Sequence, residues 1–172
     1  MEYNKLIKER YSVRKYQDKE IPKEVLQQIL EAGRIAPTAK NLQPQKIYVL
    51  ESRESKEKLG KFKRMSFNAP VVLMICADMD IVCKLGIETD YNTSELDCAI
   101  VATQMMLEAT NLGLGSCFVR WFNAEELRKS FSLDDNIKPI CLLPIGYPAS
   151  DATPLKGFHD VRKTIDEEVI YL

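Results

Sequence analysis

Two arginines with a serine between them, in Arg10-Tyr11-Ser12-Val13-Arg14, are the first groups in this chain whose spacing suggests chemistry. In extended backbone alternate side chains share a face, so Arg10, Ser12 and Arg14 point one way. In a helix Arg10 and Arg14 are still neighbours. Either geometry converges two guanidinium groups and a hydroxyl, and an anion between them relieves the repulsion. Arginine forks match phosphate oxygens, and Ser12 adds a donor. A solvated basic turn, paired with Glu9, Asp18 or Glu20, is the simpler reading of the stretch taken alone.

Two further stretches could hold a ligand. Pro37-Thr38-Ala39-Lys40-Asn41-Leu42-Gln43-Pro44-Gln45 carries two prolines among small polar residues, which predicts an ordered loop. Asn41 and Gln43 each offer a donor and an acceptor suited to a heterocycle edge, although a plain helix-to-strand connection would look the same. Leu112-Gly113-Leu114-Gly115-Ser116 supplies glycines able to take positive φ, and Gly115 would let backbone approach a planar ligand. Cys117 follows directly. A thiol redox role for it lacks a Cys-x-x-Cys pair and a nearby histidine.

Positioning such groups requires a folded scaffold. The 172 residues suffice for one domain, here residues 1–172, with a sizeable core. At 45% hydrophobic and 28% charged the composition is that of an ordinary globular protein. A net charge of -1 and a sequence pI of about 6.0 give no basic field for nucleic acid. One histidine, His159, argues against a histidine-rich metal site. The five cysteines sit mostly in apolar runs and read as reduced thiols of a cytoplasmic protein. The opening Met1-Glu2-Tyr3-Asn4 has no signal-like apolar region, and no apolar run is long enough to span a membrane.

Along the chain, Asn4 is expected to cap a short helix carrying Leu6 and Ile7. Pro22 opens a second helix whose apolar face is Val25, Leu26, Ile29, Leu30 and Gly33. Ile47 to Leu50 predicts a well-buried strand, and Ser52 to Phe62 a charged helix. Val71 to Cys76 predicts a central strand covered on both faces. Asp78 to Asn92 predicts a loop or short helix over the site. Ser94-Glu95-Leu96-Asp97 reads as a capping box opening a buried helix from about Glu95 to Asn111. Asn123 caps another helix. Ile140 to Pro148 is a strand in which Pro144 suggests an edge or a bulge. The end, Val169-Ile170-Tyr171-Leu172, is β-prone and wants a sheet edge.

In this order and spacing the stretches resemble the FMN-dependent nitroreductase family over nearly the whole chain. They are Arg10 to Arg14, Ala36 to Pro44, the helix led by Asp97, Leu112 to Ser116, Ile145-Gly146-Tyr147-Pro148, and Arg162-Lys163. The resemblance implies an α+β fold, with a mixed, mainly antiparallel sheet flanked by helices. It also implies an interlocked homodimer with a swapped C-terminal tail and FMN at the interface. Arg10, Ser12 and the adjoining Tyr11 would line the FMN phosphate site, Arg14 the pyrimidine edge, and Arg162 and Lys163 would close on the phosphate. Pro37, Thr38, Ala39 and Asn41 would come from the other subunit. Gly115 and Ser116 would present backbone near the reactive edge. The sequence departs from the family at Gln45, where an aromatic is common, and at Ser116 to Arg120, after Gly115, where many members carry a tryptophan and a later glycine.

The implied activity is electron transfer from NADH or NADPH through FMN to a small organic acceptor: a nitroaromatic, a quinone or another flavin. The cofactor carries the chemistry and no protein acid or base is needed. A flavin- or nucleotide-binding module without NAD(P)H turnover is the rival reading.

Overall fold

The computed structural model describes residues 2–84, 86 and 91–172, with only the backbone at 61–64. Its centre is β2 (Val71–Asp78), whose first seven residues are all buried. It lies between β1 (Gln45–Leu50) and β4 (Ile137–Gly146), antiparallel to both, and the two-residue β3 (Gly115–Ser116) completes the order β1-β2-β4-β3. The four-stranded sheet is antiparallel throughout rather than mixed, and an isolated parallel bridge between Ser12 and Ser116 attaches the N-terminal segment to this edge.

Alternation divides the β2 side chains between two cores, because successive residues face opposite sides. Val71, Leu73, Ile75 and Ala77 pack under α2 (Lys23–Arg34) and α5 (Ser94–Asn111). Val72, Met74 and Cys76 face the opposite side, with Leu59 and Leu127. The pairing of β2 with β4 slips between Ile75 and Cys76, and the consecutive residues Ile140 and Cys141 both join the first core. That is a bulge, with one extra residue on the bulged strand.

The remaining helices are short. They are α1 (Tyr3–Glu9), α3 (Arg53–Lys58), α4 (Lys63–Ser66), α6 (Ala124–Ser130) and α7 (Ile165–Glu168). Asn123 caps α6 as its sequence predicts, accepting from the Glu125 and Glu126 amides.

Several expectations need correcting. The cap position of α1 is Glu2, so Asn4 lies inside the helix. β1 is a half-buried edge strand, since only one of its neighbours is a strand. The charged helix stops at Lys58 and tightens into a 3-10 turn over Leu59–Phe62. The α5 cap position is Thr93, and Asp97 uses its carboxylate elsewhere, so no Ser94–Asp97 box forms. Pro144 is not on an edge strand. Its carbonyl faces Cys117, so its nitrogen faces the same side, where β3 is too short to need the donor. Residues 169–172 form no strand on this chain and are exposed. Of the stretch 78–92, residues 85 and 87–90 lie outside the described residues; the rest includes a turn and a Lys84–Asn92 bridge. Among the described residues no helix is long and apolar enough to cross a membrane.

Candidate functional site

The N-terminal segment reaches the sheet edge because it runs beside β3. The Val13 amide donates to the Ser116 carbonyl at 2.9 Å. Val13 is buried and lies against Gly115, where an added Cβ would sit 2.5 Å from Val13 Cγ2. Gly115 is therefore needed for side-chain packing, because Val13 fills the space that its missing Cβ leaves. The positive φ of this turn, 79°, belongs to Gly113. Gly115→Ala should overpack this contact and cost about 1–3 kcal/mol of stability. Thermal melts should show a lowered midpoint, and a smaller loss in a Val13→Ala background; equal losses in both backgrounds would disprove the contact.

Anchored this way, Arg10, Ser12 and Arg14 come together. Arg14 donates to the Ser12 carbonyl at 3.0 Å, and its guanidinium lies 5.9 Å from the Phe67 ring centre. Among the described residues, the Arg10 side chain donates to the Met106 sulfur alone, at 4.0 Å. Neither arginine pairs with a described carboxylate: Glu9 turns to Lys5 at 3.8 Å, and Asp18 and Glu20 are exposed. The solvated ion-paired turn is thus not what forms. A pocket of about 70 Å³ opens beside the two arginines, Tyr11 and Ser12. That is roughly twice the liquid volume share of one water, room for a small oxyanion. The far wall of the pocket belongs to residues 154–159, which the sequence did not single out. The signal for them was slight: a lone histidine three residues before Arg162.

The tail follows its own chain further than its polar composition suggests. Tyr16 and Pro148 form an antiparallel bridge, the Ala149 amide donates to the Lys15 carbonyl, and Tyr11 Oη donates to the Ala152 carbonyl at 3.1 Å. Residues 148–159 are therefore committed to the arginine segment and cannot be the crossing arm. Arg162 and Lys163 lie beyond them, exposed, with Arg162 donating to the Val161 carbonyl at 2.7 Å.

The loop at residues 37–45 is ordered, and its anchor is Asp97. This buried carboxylate accepts from the Ala39 amide at 2.8 Å and from the Thr93 hydroxyl at 2.6 Å. Thr38 Oγ1 accepts from the Gln43 amide at 3.0 Å. Lys40, Asn41 and Gln43 all hold φ near +52°, a conformation that needs such support. Pro37 and Asn41 are exposed. Removing the carboxylate in Asp97→Ala leaves the Ala39 amide without its acceptor, at about 1.5–3 kcal/mol. The expected result is a lower melting point together with faster proteolysis of the 38–43 loop; an unchanged loop would refute the anchoring.

One chain does not bring this loop to the arginines. The loop meets α5 at Asp97, whereas Arg10 meets it at Met106 and shares a cavity with Thr110. Those positions are about 14–20 Å apart along the helix axis. Between them α5 exposes Leu96, Ile100 and Thr103, with Leu107 half-buried, on one face.

Ser116 is buried, and its hydroxyl has no partner among the described residues. Cys117 is also buried, and its thiol donates weakly to the Phe118 carbonyl at 4.0 Å. Burial pushes its thiol above the usual range, against the opposing pull of Arg14, Ser12 and Arg10. A protonated, covered thiol is a poor nucleophile, which counts against the thiol redox reading. A wider cavity, about 880 Å³, lies elsewhere, by Asp18, Arg53, Lys56 and Glu57. Arg53 and Glu57 there neutralise each other, so no set of like groups converges on it.

A sheet flanked by helices, with an arginine-lined pocket at its short edge, defines an α+β class of fold. Comparison with known proteins makes the class specific: the model of the nitroreductase family matches residues 7–68 and 60–147, and the chain belongs to that family. A Methanothermobacter thermautotrophicus protein provisionally named NADH dehydrogenase/NAD(P)H nitroreductase is 32% identical over 158 residues, 88% of this chain and 80% of its own length. A nitroreductase family protein of Clostridium difficile superposes with a TM-score of 0.91 at 37% identity, covering 99% of this chain and 98% of that one. A nitroreductase of Exiguobacterium sibiricum solved in complex with FMN shares the fold, with a TM-score of 0.84 at 22% identity over 100% and 98% of the two chains.

Proposed function

We propose that this chain is a single FMN-binding domain, residues 1–172, of a cytoplasmic homodimeric oxidoreductase. It would pass electrons from NADH or NADPH through bound FMN to a small organic acceptor such as a nitroaromatic, a quinone or a flavin. The observation that carries this reading is the arginine pair, which faces an oxyanion-sized pocket with no described carboxylate to neutralise it. The donor set fits FMN, whose phosphate is a dianion and whose ring is planar. Membership of the nitroreductase family supports the same cofactor.

Bound FMN would supply the hydride acceptance and donation. The residues of the chain then have separable tasks. Arg10 and Ser12, with Tyr11 beside them, hold the phosphate, and Arg162 and Lys163 close on it. Arg14 places positive charge beside the pyrimidine edge, where negative charge gathers on reduction. Gly115 and Ser116 border the ring through their backbone. Pro37, Thr38, Ala39 and Asn41, held rigid by Asp97, reach the site of the partner subunit. An antiparallel pairing of the α5 exposed faces would set the Asp97 end of one helix against the Met106 end of the other, which closes the distance that one chain leaves open.

Arg14→Ala should retain more flavin than Arg10→Ala yet lower the flavin potential by about 30–60 mV, the equivalent of one charge-assisted contact. An unchanged potential in a fully loaded variant would remove that role. The cofactor itself is tested by the absorbance spectrum of the purified protein. A flavin spectrum, with FMN released on denaturation, is the expected result; colourless protein that binds no added FMN would overturn the reading.

A further inference from the structure

We propose that His159 is a phosphate-selecting residue, the donor that completes the oxyanion pocket from the tail side. The inference rests on the reading of the cofactor as FMN. The pocket has two unlike walls. One carries Arg10, Ser12 and Arg14; the other is Pro154, Leu155, Phe158 and His159. Three of those four tail residues have no side-chain donor, so an oxyanion held by the arginines can meet only one on the opposite side, the imidazole.

The imidazole is placed rather than loose. Its ring stands edge-on to Tyr11 with the centres 6.2 Å apart, and Tyr11 is itself tied to the tail through Ala152. Lys15 pairs with Asp151 at 2.6 Å and Gln17 Nε2 donates to the Pro148 carbonyl at 2.7 Å, so the tail is fastened repeatedly between Pro148 and Ala152 before it reaches the pocket. The turn ahead of His159 is closed by the Gly157 amide donating to Asp160 Oδ1 at 2.7 Å. His159 is also the only histidine in the chain, so a single substitution isolates its effect.

Selection for phosphate separates this role from general support of the fold. Riboflavin shares the FMN ring and lacks its phosphate. Dissociation constants of the dimer for FMN and riboflavin should be measured for wild type, His159→Ala, His159→Gln and Arg10→Ala. His159→Ala should weaken FMN by about tenfold, the value of one hydrogen bond to a charged group, and leave riboflavin within twofold. His159→Gln, which keeps a donor, should recover part of the loss. In the loaded protein the phosphorus resonance of bound FMN should move between wild type and His159→Gln. FMN affinity unchanged in His159→Ala while Arg10→Ala loses it would overturn the proposal and leave the cofactor reading intact. Equal losses for FMN and riboflavin, or an unmoved phosphorus resonance, would also overturn it, as would His159→Ala and Arg10→Ala both binding FMN normally, an outcome that takes the cofactor reading with it.

Discussion

Ending the chain at Asp160 is expected to weaken the proposed dimer and lower FMN affinity in the same preparation. The deleted segment exposes Ile165, Val169, Ile170 and Tyr171, the last two at 82% and 89%. Apolar groups presented this way on an ordered chain want a surface, and this chain offers none to residues 169–172. At about 25 cal/mol per Å² their burial on a partner could contribute several kcal/mol before ordering costs. The arm is 161–172, because the twelve or so residues before it are fastened to Tyr11, Lys15 and Gln17. Twelve residues reach at most about 40 Å, enough to cross a neighbouring subunit. Arg162 is lost with the same cut, so association and cofactor binding should fall together. Sedimentation and flavin titration check this; a truncated form that stays dimeric and binds FMN like the full chain would sink the idea.

Arg10→Ala should release most of the flavin and leave the fold intact. Losing one charge-assisted phosphate contact corresponds to about 1.5–3 kcal/mol, roughly tenfold to a hundredfold in affinity. The fold should survive because Arg10 gives the protein itself little: its one described contact is the Met106 sulfur at 4.0 Å. Circular dichroism and flavin titration on the same sample separate the two effects. Flavin retention equal to wild type would remove Arg10 as a phosphate ligand.

These expectations draw unevenly on sequence and structure. Local signals were readable. The run Val71 to Cys76 suited a doubly covered strand, Asn123 announced α6, and the Arg10–Arg14 spacing put two guanidinium groups and a hydroxyl in one place. Long-range choices were not readable. Asp97 looked like a helix-capping residue, because its real partner, the Ala39 amide, is 58 positions away. The packing role of Gly115 was hidden because nothing local shows that Val13 fills its Cβ position. The polar stretch after Pro148 looked like a free arm, since its anchors at Tyr11 to Gln17 lie at the other end of the chain. The resemblance supplied candidate site residues; it did not supply His159, which stands out through where the folded tail places it.

The central claim is tested most directly by anaerobic titration of the flavin-loaded protein with NADH and with NADPH. One of the two should bleach the visible flavin band stoichiometrically, and a nitroaromatic or quinone should restore it. A band that neither nucleotide bleaches, in protein that holds FMN, would contradict the oxidoreductase account and leave a flavin-binding module without turnover.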